Sequence, residues 1–310
     1  MAIVKKNGHR SRTENTLKGK VCLVTGGAQG IGLAITRALA GQGAHVHVAG
    51  ISEGHLESAA ADFKAAGLGA QVTFHQVDVT DRAAYEECIT GVHKAHGRLD
   101  VLVNNAAFTQ WRDVADMSVE DAQLTMRTGY GAMVYAVKTA LPLMQAAGGG
   151  TIVNMGSSAG VVLVKGPSAA YAAAKAALNA YTQILAAELA ASPVHVMLVR
   201  PGTVGGTEFF GRHVPSPRMP RIADFLPVSS PEYVADAILD GLLTRRNIVD
   251  VPGYLAAMYR AYAMAPASFR RLAALGGPAR RNYATAPTTR RKPQRQPAPR
   301  PRLTAAPASG

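Results

Sequence analysis

Tyr171 and Lys175 stand four residues apart in an alanine-rich stretch. On a helix that spacing places both side chains on one face. A phenol with a pKa of about 10 is a poor proton donor or acceptor at neutral pH. A nearby ammonium favours the phenolate, and each tenfold gain in its population corresponds to about 1.4 kcal/mol. The pair therefore suits acid–base work between a carbonyl and an alcohol. A second group, Thr25-Gly26-Gly27-Ala28-Gln29-Gly30-Ile31-Gly32, follows an apolar run and opens a segment of helical period. Glycine is needed where backbone N–H groups and a helix N-terminus must approach a pyrophosphate, because a Cβ would hold the phosphate away. The bland readings are a structural glycine turn and an ordinary helix carrying a Tyr and a Lys. The strand before the loop and the helix after it favour the nucleotide reading. The lysine of a phosphate-cleaving loop is absent, which disfavours ATP hydrolysis.

These groups need a scaffold to bring them together. Short Val/Ile/Leu-rich runs predict strands over 21–24, 44–49, 71–77, 101–104, 150–154, 194–200 and 247–251. Their apolar residues are continuous, as in strands buried on both faces of a parallel sheet. Helical periods fit between them over 31–42, 54–66, 82–96, 118–147, 170–191 and 231–243. Strand alternating with helix predicts an α/β fold, a doubly wound parallel sheet of Rossmann-like type, in a single domain over 17–253. A polar basic lead over 1–16 precedes it. Residues 205–230, with four prolines and little period, are too long for an ordinary connection and read as a lid or substrate loop. An amphipathic helical segment over 254–275 follows, broken by Pro266. From 276 to 310 the chain is Pro, Arg, Ala and Thr with nothing to bury, and reads as a disordered basic tail.

The loop spacing TGxxxGxG, with Tyr171-xxx-Lys175 behind it, resembles the short-chain dehydrogenase/reductases over roughly 17–251. The resemblance implies NAD(P)-dependent oxidation of a secondary alcohol or reduction of a ketone. It implies cofactor contacts from Gly26, Ala28, Gln29, Gly30, Ile31 and Gly32, and assigns the adenine to Asp78 in the Asp78-Val79 pair. It places Asn105 and Ala106 beside the cofactor, with Ala107 where the family usually has glycine. Its Arg-Pro-Gly turn is Arg200-Pro201-Gly202, with Val204 and Thr207 near the carboxamide. The third catalytic member is a hydroxyl after the fifth strand; counting back from Gly160 selects Ser157, with Ser158 as the fallback. In the family's scheme Tyr171 passes the proton, Ser157 holds the substrate oxygen, and Lys175 lowers the Tyr pKa and binds the ribose. A helix Asn that completes the family's proton relay falls at Gly129, or at Thr128 with a one-residue shift. Neither is Asn, which sustains a rival reading as a catalytically weak cofactor-binding scaffold or regulator. A ketoacyl thioester reductase is the specific enzyme alternative.

In Rossmann proteins a carboxylate at the end of the second strand binds the ribose 2′-OH and repels a 2′-phosphate. That position reads Gly50, and Ser52 nearby offers one hydrogen bond. The balance favours NADP over NAD. Phe108, Trp111, Phe209, Phe210, Phe225 and the run 161–164 surround the expected mouth and point to a hydrophobic substrate of lipid, steroid or ketoacyl type.

The net charge of +13 divides unevenly: +3 over 1–16, −1 over 17–250 and +11 over 251–310. A neutral body with basic ends is no nucleic-acid signature, and Tyr283 is the one aromatic beyond Ala279, so specific nucleic-acid recognition is not expected. An apolar fraction of 48% excludes wholesale disorder. No apolar run reaches the roughly 18 residues of a membrane span, and no secretory signal is visible. Two cysteines make no disulfide framework, and the nine histidines show no metal-ligand spacing. His45, His47 and His75 read as packed or surface residues. A cytoplasmic protein is expected, with three fates open for 254–275: an anionic membrane surface, a cover over the cleft, or a subunit interface. The family's habit of pairing its two long helices implies a homodimer or homotetramer.

Overall fold

Val21–Thr25 (β1), His45–Gly50 (β2), Val72–Gln76 (β3), Val101–Asn104 (β4), Gly150–Met155 (β5), Val194–Pro201 (β6) and Ile248–Val251 (β7) form one parallel sheet of order β3-β2-β1-β4-β5-β6-β7. The computed structural model describes residues 17–166, 168–212, 214, 219–275 and 277–285. The lead over 1–16 and the tail beyond 285 lie outside the described residues. Between the strands run helices Gly30–Ala40 (α1), Glu53–Ala65 (α2), Arg82–His96 (α3), Val119–Met126 (α4), Ala132–Ala146 (α5), Ala169–Glu188 (α6), Glu208–Arg212 (α7) and Pro231–Thr244 (α8). Leu255–Met264 (α9) and Pro266–Ala274 (α10) close the described helices.

The continuous apolar runs are explained by burial on both sheet faces. In β1, Cys22 and Val24 enter the core beneath α1, α2 and α8, whereas Val21 and Leu23 enter the one beneath α3, α5 and α6. Register carries this across the sheet, with Val24 paired to Val48 on one side and Val103 on the other. The chain reverses its direction of growth between β1 and β4, and the strand ends part there to leave a crevice.

The helix expected over 118–147 is interrupted: a π-helical turn, Arg127–Gly131, separates α4 from α5. Such a turn holds one extra residue. It places Thr128 on the wall of the large cavity, while a Cβ built at Gly129 would touch that of Ala174 at 3.4 Å. The expectation that nothing beyond 276 is buried is corrected for 277–285. Tyr283 is 1% exposed, and Pro278 bridges Pro220. A ring of the right size had a hollow waiting in the substrate loop, 59 positions upstream.

His45, His47, His75 and His96 pack together. His47 Nδ1 lies 2.8 Å from His75 Nε2, and its Nε2 lies 2.9 Å from His96 Nε2. Among the described residues no His, Cys, Asp and Glu group is arranged to hold a metal.

Candidate active site

Strand β5 delivers Met155 to the crevice, and the chain turns at once through Gly156 and Ser157. A Cβ at Gly156 would collide with Asn179 Oδ1, so glycine is what lets this turn lie against α6. Ser157 is buried, its Oγ accepts from the N–H of Ala159 at 3.1 Å, and it lines the same cavity as Tyr171. Ser158 also lines the cavity, but Ser157 is the serine whose hydroxyl acts on the Tyr171 phenol. Helix α6 starts at Ser168, whose Oγ accepts from the N–H of Tyr171 at 3.2 Å, so the cap bonds the backbone of the residue that carries the phenol. One turn on, Lys175 is 4% exposed and its Nζ donates to the Met155 carbonyl at 2.7 Å. That nitrogen sits 5.8 Å from the Tyr171 ring centroid.

Burial pushes the Tyr171 phenol above its ordinary pKa, and the Ser157 hydroxyl opposes that rise. Burial also lowers Lys175, to about 8. Desolvation is the largest influence on the Tyr171 phenol and favours its protonated form.

At the other end of the same cavity lies the glycine loop. Gly26 has φ +63°, a left-handed conformation, and a Cβ at Gly32 would collide with the Gly26 carbonyl and the Asn105 amide. The hollow left by the missing side chains faces the first turn of α1, which suits a pyrophosphate. Asn105 braces the loop, its Nδ2 donating to the carbonyls of Thr25 at 2.9 Å and Gly26 at 3.3 Å. The N–H groups of Asn105 and Ala106 donate to Thr25 Oγ1. Asp78 Oδ1 accepts from the backbone and hydroxyl of Thr80, each at 2.8 Å. Ser52 caps α2 beside Gly50. A single cavity of about 810 Å³ is lined by Gly26, Ala28, Gln29, Gly30, Ile31, Gly32, Ser52, Asp78, Val79, Asn105 and Ala106. Ser157, Tyr171, Lys175, Pro201, Gly202, Val204 and Thr207 line it too, so every catalytic and cofactor residue expected from the resemblance meets there.

The sequence profile of the short chain dehydrogenases matches residues 20–216. This chain belongs to that family. It is 34% identical to a 3-oxoacyl-(acyl-carrier-protein) reductase of Chlamydia pneumoniae over 61% of this chain and 75% of the relative. A fatty acyl-CoA reductase of Acinetobacter baylyi is 31% identical over 81% of each chain. An alcohol dehydrogenase of Thermococcus sibiricus, solved with 5-hydroxy-NADP, superposes with a TM-score of 0.64 at 26% identity. The superposition covers 75% of this chain and 96% of that one. The protein is an NAD(P)-dependent short-chain dehydrogenase/reductase acting on CH–OH groups and their carbonyl counterparts.

In this dehydrogenase the outer half of the cavity is apolar. Phe108, Trp111, Val162, Val164, Phe209 and Phe210 line it. Phe225, expected at the mouth, is 77% exposed and lies outside the lining. The 254–275 segment takes the second of its three expected fates: Met258, Phe269 and Ala273 line the cavity, and Leu255 and Tyr259 pack on Val162. The Arg200 guanidinium pairs with Asp250 through bonds of 2.7 and 2.9 Å and lies over the Tyr259 ring, which ties α9 to the Arg-Pro-Gly turn. No helix among the described residues is long and apolar enough to cross a membrane.

Among the lining residues that escaped the sequence reading are two of opposite chemistry. His55 of α2 and Glu208 of α7 meet at 3.5 Å, joining the walls of the cofactor and substrate halves. With 153 positions between them, no local pattern could pair them.

Proposed function

We propose that this dehydrogenase reduces a hydrophobic ketone, or oxidises the matching secondary alcohol, with NADP preferred to NAD. The observation that carries the reading is the meeting of Ser157, Tyr171 and Lys175 in the cavity that also contains the glycine loop. The cofactor, when bound, supplies or accepts the hydride. Gly26, Gly32 and the first turn of α1 hold its pyrophosphate, Asp78 and Val79 its adenine end, and Pro201, Gly202, Val204 and Thr207 its nicotinamide end. Gly50 leaves a 2′-phosphate unrepelled, and Ser52 donates to it. Ser157 holds the substrate oxygen while Tyr171 gives it the phenol proton. Lys175 keeps a positive charge near the phenolate that results.

The apolar outer wall supports a substrate with a chain or ring system and no charge near the reacting carbon. The acyl substrates named for the Chlamydia and Acinetobacter relatives favour a 3-oxoacyl thioester as the second reading. Exposed Val119, Met126 and Ile184 on α4 and α6 support a homo-oligomer through these helices.

The test is a titration of the Trp111 fluorescence with NADPH and with NADH, followed by turnover of 2-alkanones, cyclohexanones and acetoacetyl thioesters. NADPH is expected to bind at least tenfold tighter, about 1.4 kcal/mol. Tyr171→Phe should keep that affinity and lose about a hundredfold or more in kcat. A Tyr171→Phe enzyme that turns over at the wild-type rate would overturn the assignment.

A further inference from the structure

The substrate loop is fastened from outside by a segment beyond the family's matched region. Residues 219–226 approach the cavity, where Met219, Pro220, Ala223 and Leu226 contribute to its wall. Over their outer side lies 277–285. Arg221 donates its backbone N–H to the Gly277 carbonyl at 3.0 Å, and Ala279 donates to the Met219 carbonyl at 2.7 Å. Asp224 is the centre of the fastening. Its Oδ2 accepts from the Arg280 N–H and from Arg221 Nη1, each at 2.8 Å. Its Oδ1 accepts from the Tyr283 hydroxyl at 2.9 Å and the Arg281 N–H at 3.2 Å. Burial would raise the Asp224 carboxyl, but these bonds outweigh it and hold the group below its ordinary pKa.

The Tyr283 ring is buried and does not line the cavity. It touches the lining directly at Phe210: its centroid lies 5.6 Å from that of Phe210, which lies 6.4 Å from that of Trp111. Trp111 in turn lies 6.3 Å from the Tyr171 ring. These residues form a small core of their own with Val214, Met219, Ala223, Val228 and Ala279, separate from the two cores flanking the sheet. Among the described residues this wall draws on no helix longer than the five residues of α7 or of the turn Arg221–Phe225, so its shape depends on the fastening.

We propose that Asp224 and Tyr283 are positioning residues that set substrate specificity by clamping the 219–226 loop and Phe210 over the apolar half of the cavity. The proposal rests on the substrate half assigned above, and it extends that reading from the lining to a segment outside it. A substrate long enough to reach Phe210 gains from the clamp; a short one reacting beside Tyr171 does not.

The chain has a single tryptophan, Trp111, which is 6% exposed. Its acrylamide quenching therefore reports the wall without any turnover. Full-length wild type, Tyr283→Ala, Tyr283→Phe and Asp224→Ala are compared for quenching, NADPH affinity, and kcat and KM on butan-2-one and decan-2-one. In Tyr283→Ala and Asp224→Ala, quenching should rise about threefold or more and KM for decan-2-one about tenfold. kcat, NADPH affinity and KM for butan-2-one should stay within about twofold. Tyr283→Phe keeps the ring against Phe210 and should restore most of the long-chain KM.

Unchanged quenching in both truncations overturns the proposal. So does a loss of NADPH binding in both, which would make the segment a general support of the fold, or an equal rise in KM for both ketones. If wild type turns over neither ketone, the ketone reading fails while quenching still decides the clamp.

Discussion

Replacing Lys175 by Met should stabilise the protein at neutral pH while abolishing turnover. Lys175 is 4% exposed, and burial lowers its pKa from 10.5 to about 8. At about 1.4 kcal/mol for each tenfold change in proton affinity, keeping the ammonium in the folded protein at neutral pH costs about 3 kcal/mol. Methionine retains the apolar stem and carries no charge. It also leaves the Met155 carbonyl, now bonded to Nζ at 2.7 Å, without that partner. Such a loss costs about 1–2 kcal/mol. Removal of the charge is the larger effect, so Lys175→Met should gain about 1–2 kcal/mol at about pH 7, or a few degrees in Tm. The pH dependence separates the two contributions. The folded pKa lies below the unfolded one, so between them the unfolded chain binds more protons and wild-type stability rises with pH. The rise runs from about pH 8 to about pH 10.5, whereas the lost carbonyl bond does not titrate. Urea denaturation of both proteins at about pH 7 and about pH 10 should therefore show the advantage of the variant shrinking by about 2–3 kcal/mol. A difference that is constant across that range would refute the reasoning, because the charge would then contribute nothing.

Gly32→Ala puts a Cβ against the Gly26 carbonyl and the Asn105 amide, so the loop must shift. NADPH affinity should fall by about tenfold or more, with about 1–3 kcal/mol of stability lost, measured by titration and urea unfolding. A Cβ at Gly50 meets the flexible end of Leu56 at 3.2 Å, so Gly50→Asp should fold. Its carboxylate should move the NADPH-to-NADH affinity ratio toward NADH by about tenfold or more; an unchanged ratio removes the argument for NADP. His47 is 7% exposed, and burial, then His75, His96 and His45, lower its pKa to about 4. With the folded pKa below the unfolded one, stability is full above about pH 6.5 and is lost as pH falls toward 4, by on the order of 3 kcal/mol. His47→Gln should remove most of that acid slope in denaturant midpoints read between about pH 6.5 and about pH 4.5.

Much of the site was legible because its chemistry is local in the chain. Gly26 to Gly32 and Tyr171 to Lys175 work through turn geometry and helical period, which short spacings determine. The strands were legible for a related reason: burial on both faces demands uninterrupted apolar residues, and β4 and α3 match their expected ranges residue for residue. Boundaries elsewhere moved by a few residues. The relay position could not be placed by counting, since the π-helical turn at Arg127–Gly131 shifts the register within what reads as one amphipathic run. Residues 277–285 looked like tail because their composition has little to bury. Tyr283 is buried by a hollow in a loop far upstream.

The sequence by itself marked the groups that meet in the cavity and the element each sits on, because those depend on side-chain type and on spacings of a few residues. Tertiary structure decided how those groups behave. Burial of Tyr171 and Lys175 moves the pKa of each toward its uncharged form, opposite to what the pair implies in water for the phenol. The clamp of Asp224 and Tyr283 and the meeting of His55 with Glu208 join segments far apart along the chain. Desolvation and long-range contact are properties of packed neighbours, and no local pattern of residues carries them.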